Sequence, residues 1–455
     1  MLPFADCVVR GRVARPRCEA EPGAVAVRDG RIVGLAARDA ACDAEHELDV
    51  GDALVLPGVV DVHVHTRSAP EEGIAAATSA AAAGGVTTVC DMPYDAAGPI
   101  ADAGAFAAKV ADVEREALVD VALWATVPPA GALDQVADLV GAGACAFKLS
   151  TFETHPRRFP RIPDDQLLRA FTAIAAAGGL AGVHAENDEI VRAGIATERA
   201  AGRHEPLAHA RSRPPVAETE AVGRCVELAA ATGVRLHVCH ATLGRSVALA
   251  TGPGIDVTVE TCPHYLTLDE RDLERLGGEA KINPPLRPRH QVEALWAAIE
   301  AQTIGIVSSD HVGWPAERKH GEDIFALASG APGLEVMLAL VHDALRARGL
   351  GLALLTRLLA EAPARRFGLW PRKGALAEGA DADIAILDPD VRWSLDPARM
   401  VTPAGWSPYA GRSVRGRVTH VMSRGELVYA GGALCARPGR GRFVAPATAA
   451  VGTPA

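Results

Sequence analysis

The stretch Pro57-Gly-Val-Val-Asp-Val-His-Val-His65 decides how this chain folds. Its β-branched residues predict a buried strand, and a period of two puts His63 and His65 on one face. Two imidazoles so placed can share one metal ion. The same grammar, an apolar run ending in polar residues, recurs along the chain. It appears in Gly85-Val-Thr-Thr-Val-Cys-Asp91, Ala144-Cys-Ala-Phe-Lys-Leu-Ser150, Gly182-Val-His-Ala-Glu186, Arg235-Leu-His-Val-Cys-His240, Asp256-Val-Thr-Val-Glu260 and Ile304-Gly-Ile-Val-Ser-Ser-Asp310. Ala-rich helical segments separate these runs. Repeated βα units from Leu54 to about Leu369 predict an α/β fold and fit a (β/α)8 TIM-type barrel better than an open sheet, the alternative that periodicity leaves.

Outside this region the text changes to short alternating strands. Asp29-Gly30 and Arg424-Gly425 mark hairpin turns near the two ends. The two β-rich ends are expected to join in one small β-sandwich beside the barrel. The predicted division is 1–53 and 371–443 for the sandwich, 54–370 for the barrel and 444–455 for a loose tail.

Of the 455 residues 49% are apolar and 22% charged, enough to bury a large core. A formal net charge of −10, with no Lys/Arg block, argues against nucleic acid as a partner. The weakly polar stretch from Gly73 to Gly85 is too short to cross a bilayer, so no membrane partner is expected. Met1-Leu-Pro-Phe-Ala-Asp-Cys7 lacks a basic segment followed by an apolar run, and a cytoplasmic location is the expectation. The nine cysteines form no Cys-x-x-Cys pair, which removes thiolate zinc sites and a disulfide framework. A nucleophilic role for Cys239 or Cys262 is the weaker reading of each.

A His-x-His pair alone fits a satisfied strand as well as a ligand pair. The company changes that, because Lys148, His184, His240 and Asp310 stand at other predicted strand ends, where a barrel gathers its catalytic groups. Imidazole and carboxylate donors suit zinc or manganese. Lysine is the odd member, since an ammonium cannot ligate. Lys148 either binds an anion or reacts with CO2 to give a carbamate, whose oxygens can bridge two metals.

With these residues in view, the sequence resembles the cyclic amidohydrolases: dihydroorotases, allantoinases and hydantoinases or dihydropyrimidinases. The motifs are Pro57 to His65, Asp91-Met-Pro93, Phe147-Lys148, Phe159-Pro-Arg-Ile-Pro-Asp-Asp165, Val183-His-Ala-Glu-Asn187, His237-Val-Cys-His240, Glu260-Thr-Cys-Pro-His-Tyr-Leu266, Lys281-Ile-Asn-Pro-Pro-Leu-Arg287 and Ser309-Asp-His311. The resemblance runs from about Ala24 to Gly432. It implies His63, His65 and Asp310 on one divalent ion, His184 and His240 on another, and carboxylated Lys148 bridging them. The ions would be zinc, with manganese or cobalt as alternatives. Asp310 would also be the catalytic base, taking a proton from a metal-bridging hydroxide precursor and passing it to the leaving nitrogen. A homo-oligomer, dimer or tetramer, is implied too. His237 is assigned to packing on the opposite side of its strand, His264 to a supporting role and His311 to a loop cap. His155, His204, His290 and His342 are expected to be solvated.

The substrate motifs are mixed. Arg67 sits where dihydroorotases hold a substrate carboxylate, and Asn283 could bond the same ring. Asp95 stands where asparagine is common, and Trp314 where dihydroorotases place a histidine. Gly330-Ala-Pro-Gly333-Leu-Glu looks hydantoinase-like and makes Gly333 a substrate-site candidate. Hydantoinases usually carry a tyrosine five residues after the bridging lysine, and here that position is Glu153. The reading is a small-molecule cyclic amide, a ureide or imide, opened by a hydantoinase- or allantoinase-like enzyme. The alternatives are a dihydroorotase-type hydrolase of an acidic ring and, from another class, a non-catalytic scaffold subunit of the same fold.

Overall fold

The computed structural model describes residues 2–15, 18–252 and 254–447. Successive parallel strands, Val59–His65, Val86–Asp91, Asp120–Thr126, Ala146–Ser150, Leu180–His184, Arg235–Val238, Val257–Thr261 and Ile306–Val307, pair in chain order. The last of these pairs only with Val257–Thr261. Just beyond it His311–Val312 pairs with Val59–His65 and closes the ring. The closing strand is thus split at Ser308-Ser309-Asp310. Asp310 adopts left-handed backbone (φ 48°), as does His240 (φ 38°) past the end of Arg235–Val238. Non-glycine residues hold such conformations only when their surroundings enforce them, which favours strand ends that aim a side chain.

Helices wrap the barrel, and their ends follow local chemistry. The Asp102 side chain accepts from Ala105 N (2.8 Å) to start Ala103–Glu116, and Asn187 accepts from Ile190 N (3.0 Å) to start Asp188–Ala200. Pro215–Thr232 begins with proline and ends at left-handed Gly233. Beneath the mouth the barrel is filled by Val60, Val62, Cys90, Trp124, Phe367 and Leu369.

Both chain ends contribute to one mixed 8-stranded sheet. Its centre pairs Ala44–Pro57 with Ile384–Ser394 on one side, antiparallel, and with Ala5–Ala14 on the other, parallel. The central strand therefore runs on past residue 53 to Pro57 before the chain enters the barrel. The Asp29-Gly30 and Arg424-Gly425 turns join the strands on either side of them, with φ of 51° and 75°, and of 44° and 77°. These left-handed pairs match the twist of a two-residue hairpin. One face buries Val9, Val25, Ile32, Val55, Ile384 and Met422; Leu54, Leu56, Leu387 and Val418 join the barrel core.

The segment expected to be loose from Val444 starts in a packed conformation. Val444 is buried and its N–H donates to Val121 O (2.9 Å), while Ala447 N donates to Gly368 O (2.8 Å). An apolar side chain under the barrel outweighs the small-residue composition around it. Residues 448–455 of that segment lie outside the described residues. Among the described residues, no helix is long and apolar enough to cross a membrane.

Candidate active site

The strand ends bring His63, His65, Lys148, His184, His240 and Asp310 into one buried cluster at the C-terminal mouth of the barrel. His63 Nε2 lies 3.2 Å from Asp310 Oδ1 and 3.2 Å from Lys148 Nζ. His65 Nε2 is 3.5 Å from the same Asp310 oxygen. On the other side His184 Nδ1 faces His240 Nε2 at 3.1 Å. Ligand atoms of His63, His65 and Asp310 all fall within 4.8 Å of one another.

The donor chemistry fits divalent metal. Although burial and Lys148 push His63 down, the Asp310 and Glu260 carboxylates lift it to about 10, so this pocket attracts positive charge. Burial brings His65 down to about 4 and His240 well below its ordinary value, leaving imidazoles with free lone pairs. His240 Nδ1 is buried with no hydrogen-bond partner. Lys148 is fully buried, and no carboxylate lies within ion-pair distance of its Nζ among the described residues. An uncompensated ammonium is costly there. Conversion to a carbamate would turn the cation into a ligand.

A surrounding layer fixes the orientation of these groups. Glu260 Oε1 holds His63 Nδ1 at 2.5 Å, and its other oxygen holds His237 Nε2 at 3.1 Å. Glu186 holds His184 Nε2 at 2.9 Å and accepts from Arg213 at 2.5 Å. His65 Nδ1 meets Ser68 Oγ at 3.1 Å. Tyr94 Oη donates to Lys148 O at 2.9 Å and stacks on Phe159. Sequence reasoning passed over Glu186 and Glu260 as partners. The signal was present in His184-Ala-Glu186, whose i, i+2 spacing repeats that of His63 and His65, and in the strand-end position of Glu260.

Other expectations are corrected here. His237 projects into the barrel rather than away from it, because the left-handed turn at His240 breaks the strand period between them. His342 is buried, its Nδ1 3.1 Å from Arg415 O. His311 bonds Glu72 through Nε2 (2.8 Å), and its Nδ1 accepts from Gly333 N (3.0 Å). Gly333 thus spends its N–H inside the wall, while Gly330 lines the cleft. Arg67 turns away onto the helix Ala103–Glu116, where it pairs with Asp112 and with Glu116 (2.9 Å). Asp95 is buried against Lys109 Nζ (2.6 Å). Neither lines the cleft. Glu153 pairs with Arg192 (2.9 Å) and does not line the cleft, whereas its neighbour Thr154 does.

Asn283 does reach the cleft, with its Oδ1 buried and without a partner. His264, brought down to about 4 by burial, stands close enough to Asp310 to feel its charge, and its Nε2 is also unpartnered. Trp314 forms part of the cleft wall, its Nε1 donating to Ser329 O (2.8 Å). Cys262 is fully buried and burial pushes its thiol well up, which disfavours a nucleophile. Cys239 groups with His63 and Glu260, on the side of His63 already occupied by the Glu260 hydrogen bond.

Comparison with known proteins finds relatives that match the chain along nearly its whole length. The amidohydrolase family profile matches residues 54–428. The allantoinase of Rubrobacter xylanophilus is 39% identical over 97% of this chain and 98% of its own length. The allantoinase of Deinococcus radiodurans is 37% identical over 97% and 99%. The solved L-hydantoinase (dihydropyrimidinase) of Arthrobacter aurescens superimposes with a TM-score of 0.93 at 32% identity, covering 98% of this chain and 100% of that one.

Proposed function

The chain belongs to the amidohydrolase family, and on that premise we propose that its cleft hydrolyses the C–N bond of a cyclic amide, a ureide or imide ring, as allantoinases and hydantoinases do. The observation that carries this reading is the convergence of His63, His65, Lys148, His184, His240 and Asp310 on one buried point, each oriented from an ordered strand end. His63, His65 and Asp310 would hold one divalent ion, and His184 and His240 a second. A carbamate on Lys148 would serve both, with zinc the first choice and manganese or cobalt alternatives. When bound, such a pair supplies Lewis-acid polarisation of the ring carbonyl and acidifies water.

The protein groups do the rest. Asp310 takes a proton from the attacking water at its free carboxylate oxygen and returns it to the ring nitrogen as the C–N bond breaks. Burial opposes that carboxylate's charge, yet His63 and His65 hold it below the usual carboxylate range, so it is ionised at neutral pH. Asn283 Oδ1 accepts from a ring N–H, and His264, neutral at pH 7, stands near Asp310 with its Nε2 unpartnered. Arg67, committed to Asp112 and Glu116, offers no carboxylate anchor of the dihydroorotase kind. Cytoplasmic residence and assembly into a dimer or tetramer complete the proposal; light scattering tests the latter.

Opening any of these rings at neutral pH releases a proton, because the new carboxylic acid ionises. Proton release in weak buffer, with zinc and bicarbonate supplied, from allantoin, hydantoin, dihydrouracil, dihydroorotate and succinimide tests the reading. Turnover of a ureide or imide ring is the expected result. Silence across the panel from a metal-loaded protein would contradict it.

A further inference from the structure

The recess around the metal ligands is small, about 60 Å³, and opens into a vestibule of about 610 Å³ that shares Ser68, Arg158 and Trp314 with it. A ring held at the ligands must therefore extend its substituent into the vestibule. In a chain of net charge −10, that vestibule is cationic: Arg157, Arg158 and Arg318 line it, and among the described residues no acidic residue does.

Arg158 is the member best placed to read a substituent. It follows His155 in a tight turn whose ends are paired, with Phe159 N donating to His155 O (2.9 Å) and His155 N to Phe159 O (3.1 Å). The His155 Nδ1 accepts from Arg158 N (3.1 Å) and Arg157 N (3.3 Å), which fixes the turn. Phe159 stacks on Tyr94 and meets His184 edge-on, tying the turn to the ligand layer. The Arg158 guanidinium lies over the Trp314 ring at 5.5 Å, and Arg318 approaches the same ring at 5.1 Å. Among the described residues neither guanidinium has a carboxylate partner, unlike Arg67 and Arg192 nearby. Two like charges held on one indole without a counter-ion are a prepared anion site.

We propose that Arg158, backed by Arg318, recognises a carboxylate carried on the substituent of the ring being opened. The inference rests on the ring-hydrolase reading and adds the substrate class to it. Burial and the Arg318 charge both weaken the hold of Arg158 on its proton, a strain that an anion relieves.

The test compares two hydantoins of matched shape, one with a 5-(2-carboxyethyl) and one with a 5-(2-carbamoylethyl) substituent, on the zinc-loaded enzyme. The expected ratio of kcat/KM, carboxylate over amide, is about ten or more, the range of a hydrogen bond to a charged group. It should fall close to one in Arg158→Gln and take an intermediate value in Arg158→Lys. A ratio near one in the parent protein, or one unchanged in Arg158→Gln, would overturn the proposal. If neither of these hydantoins opens, the ring panel above judges the hydrolase reading separately, and calorimetric binding of N-carbamoylglutamate against N-carbamoylglutamine decides the anion site. Preference for the former, lost in Arg158→Gln, sustains it, and equal binding overturns it.

Discussion

At the scale of single residues, the site separates groups that react from groups that aim them. On the proposed mechanism Asp310 moves the proton, so Asp310→Asn should lower kcat by about 10²–10⁴-fold. Circular dichroism checks that the fold is intact. Glu260 is a positioning residue that holds His63, His237 and the His240 backbone N–H (3.2 Å) together. Glu260→Gln should weaken metal affinity by about 10–100-fold, read from a chelator titration, since partners behind a ligand commonly act on that scale. Unchanged affinity would place the carboxylate outside the metal layer. The clustering of His63, His65, Lys148, His184, His240 and Asp310 was legible in the sequence because each closes an apolar run, where barrel geometry converges. The fate of Arg67 was not: its partners, Asp112 and Glu116, lie on a helix that folds back over it, and no local spacing links them.

At the scale of elements, two buried lysines fasten the cleft walls. Lys319 Nζ donates to the carbonyls of Lys281 (3.1 Å), Ala328 (2.8 Å) and Gly330 (2.7 Å), and Lys281 Nζ donates to Leu327 O. These bonds tie the loop bearing Asn283 to the segment bearing Ser329 and Gly330. Burial, reinforced by Arg213, pushes Lys281 down to about 7. A lysine whose folded pKa is depressed binds fewer protons folded than unfolded between that value and its ordinary one near 10.5. Stability should therefore rise with pH between about 7 and 10, by at most about 1.4 kcal/mol per unit from this group. In Lys281→Met that component of the slope should vanish in urea titrations at pH 7, 8 and 9; an identical slope would refute it. The hairpins at Asp29-Gly30 and Arg424-Gly425 were legible because their turn chemistry is local. The split closing strand was not, since Ser308-Ser309-Asp310 carries no glycine or proline to announce a left-handed break.

At the scale of the whole molecule, barrel and sheet are joined by a buried charge cluster. Lys373 Nζ reaches Asp120 on a barrel strand (2.5 Å) and Asp381 and Asp383 at the entrance to the C-terminal strands (2.9 Å each). Arg424, in the second hairpin turn, adds an ion pair to Asp120 at 3.1 Å. Removing the shared cation in Lys373→Met leaves buried carboxylates facing one another and should cost about 3–5 kcal/mol of unfolding free energy. A loss under about 1 kcal/mol in denaturant melts would show that the cluster is not what couples the two units. The union of both chain ends was legible, because β-rich text brackets a βα repeat. The packing of Val444 under the barrel was not, as the segment's composition of small residues masks one buried anchor.

The central claim is that a metal pair served by Lys148 opens a cyclic ureide or imide. It is tested most directly by following ring opening as zinc is added back to the chelated protein in the presence of bicarbonate, with bound zinc counted per chain. Activity should climb to a plateau at two ions per chain, and Lys148→Ala should stop at one ion and stay inactive. Full activity at one ion per chain, or without metal, or unchanged zinc binding in Lys148→Ala, would contradict it.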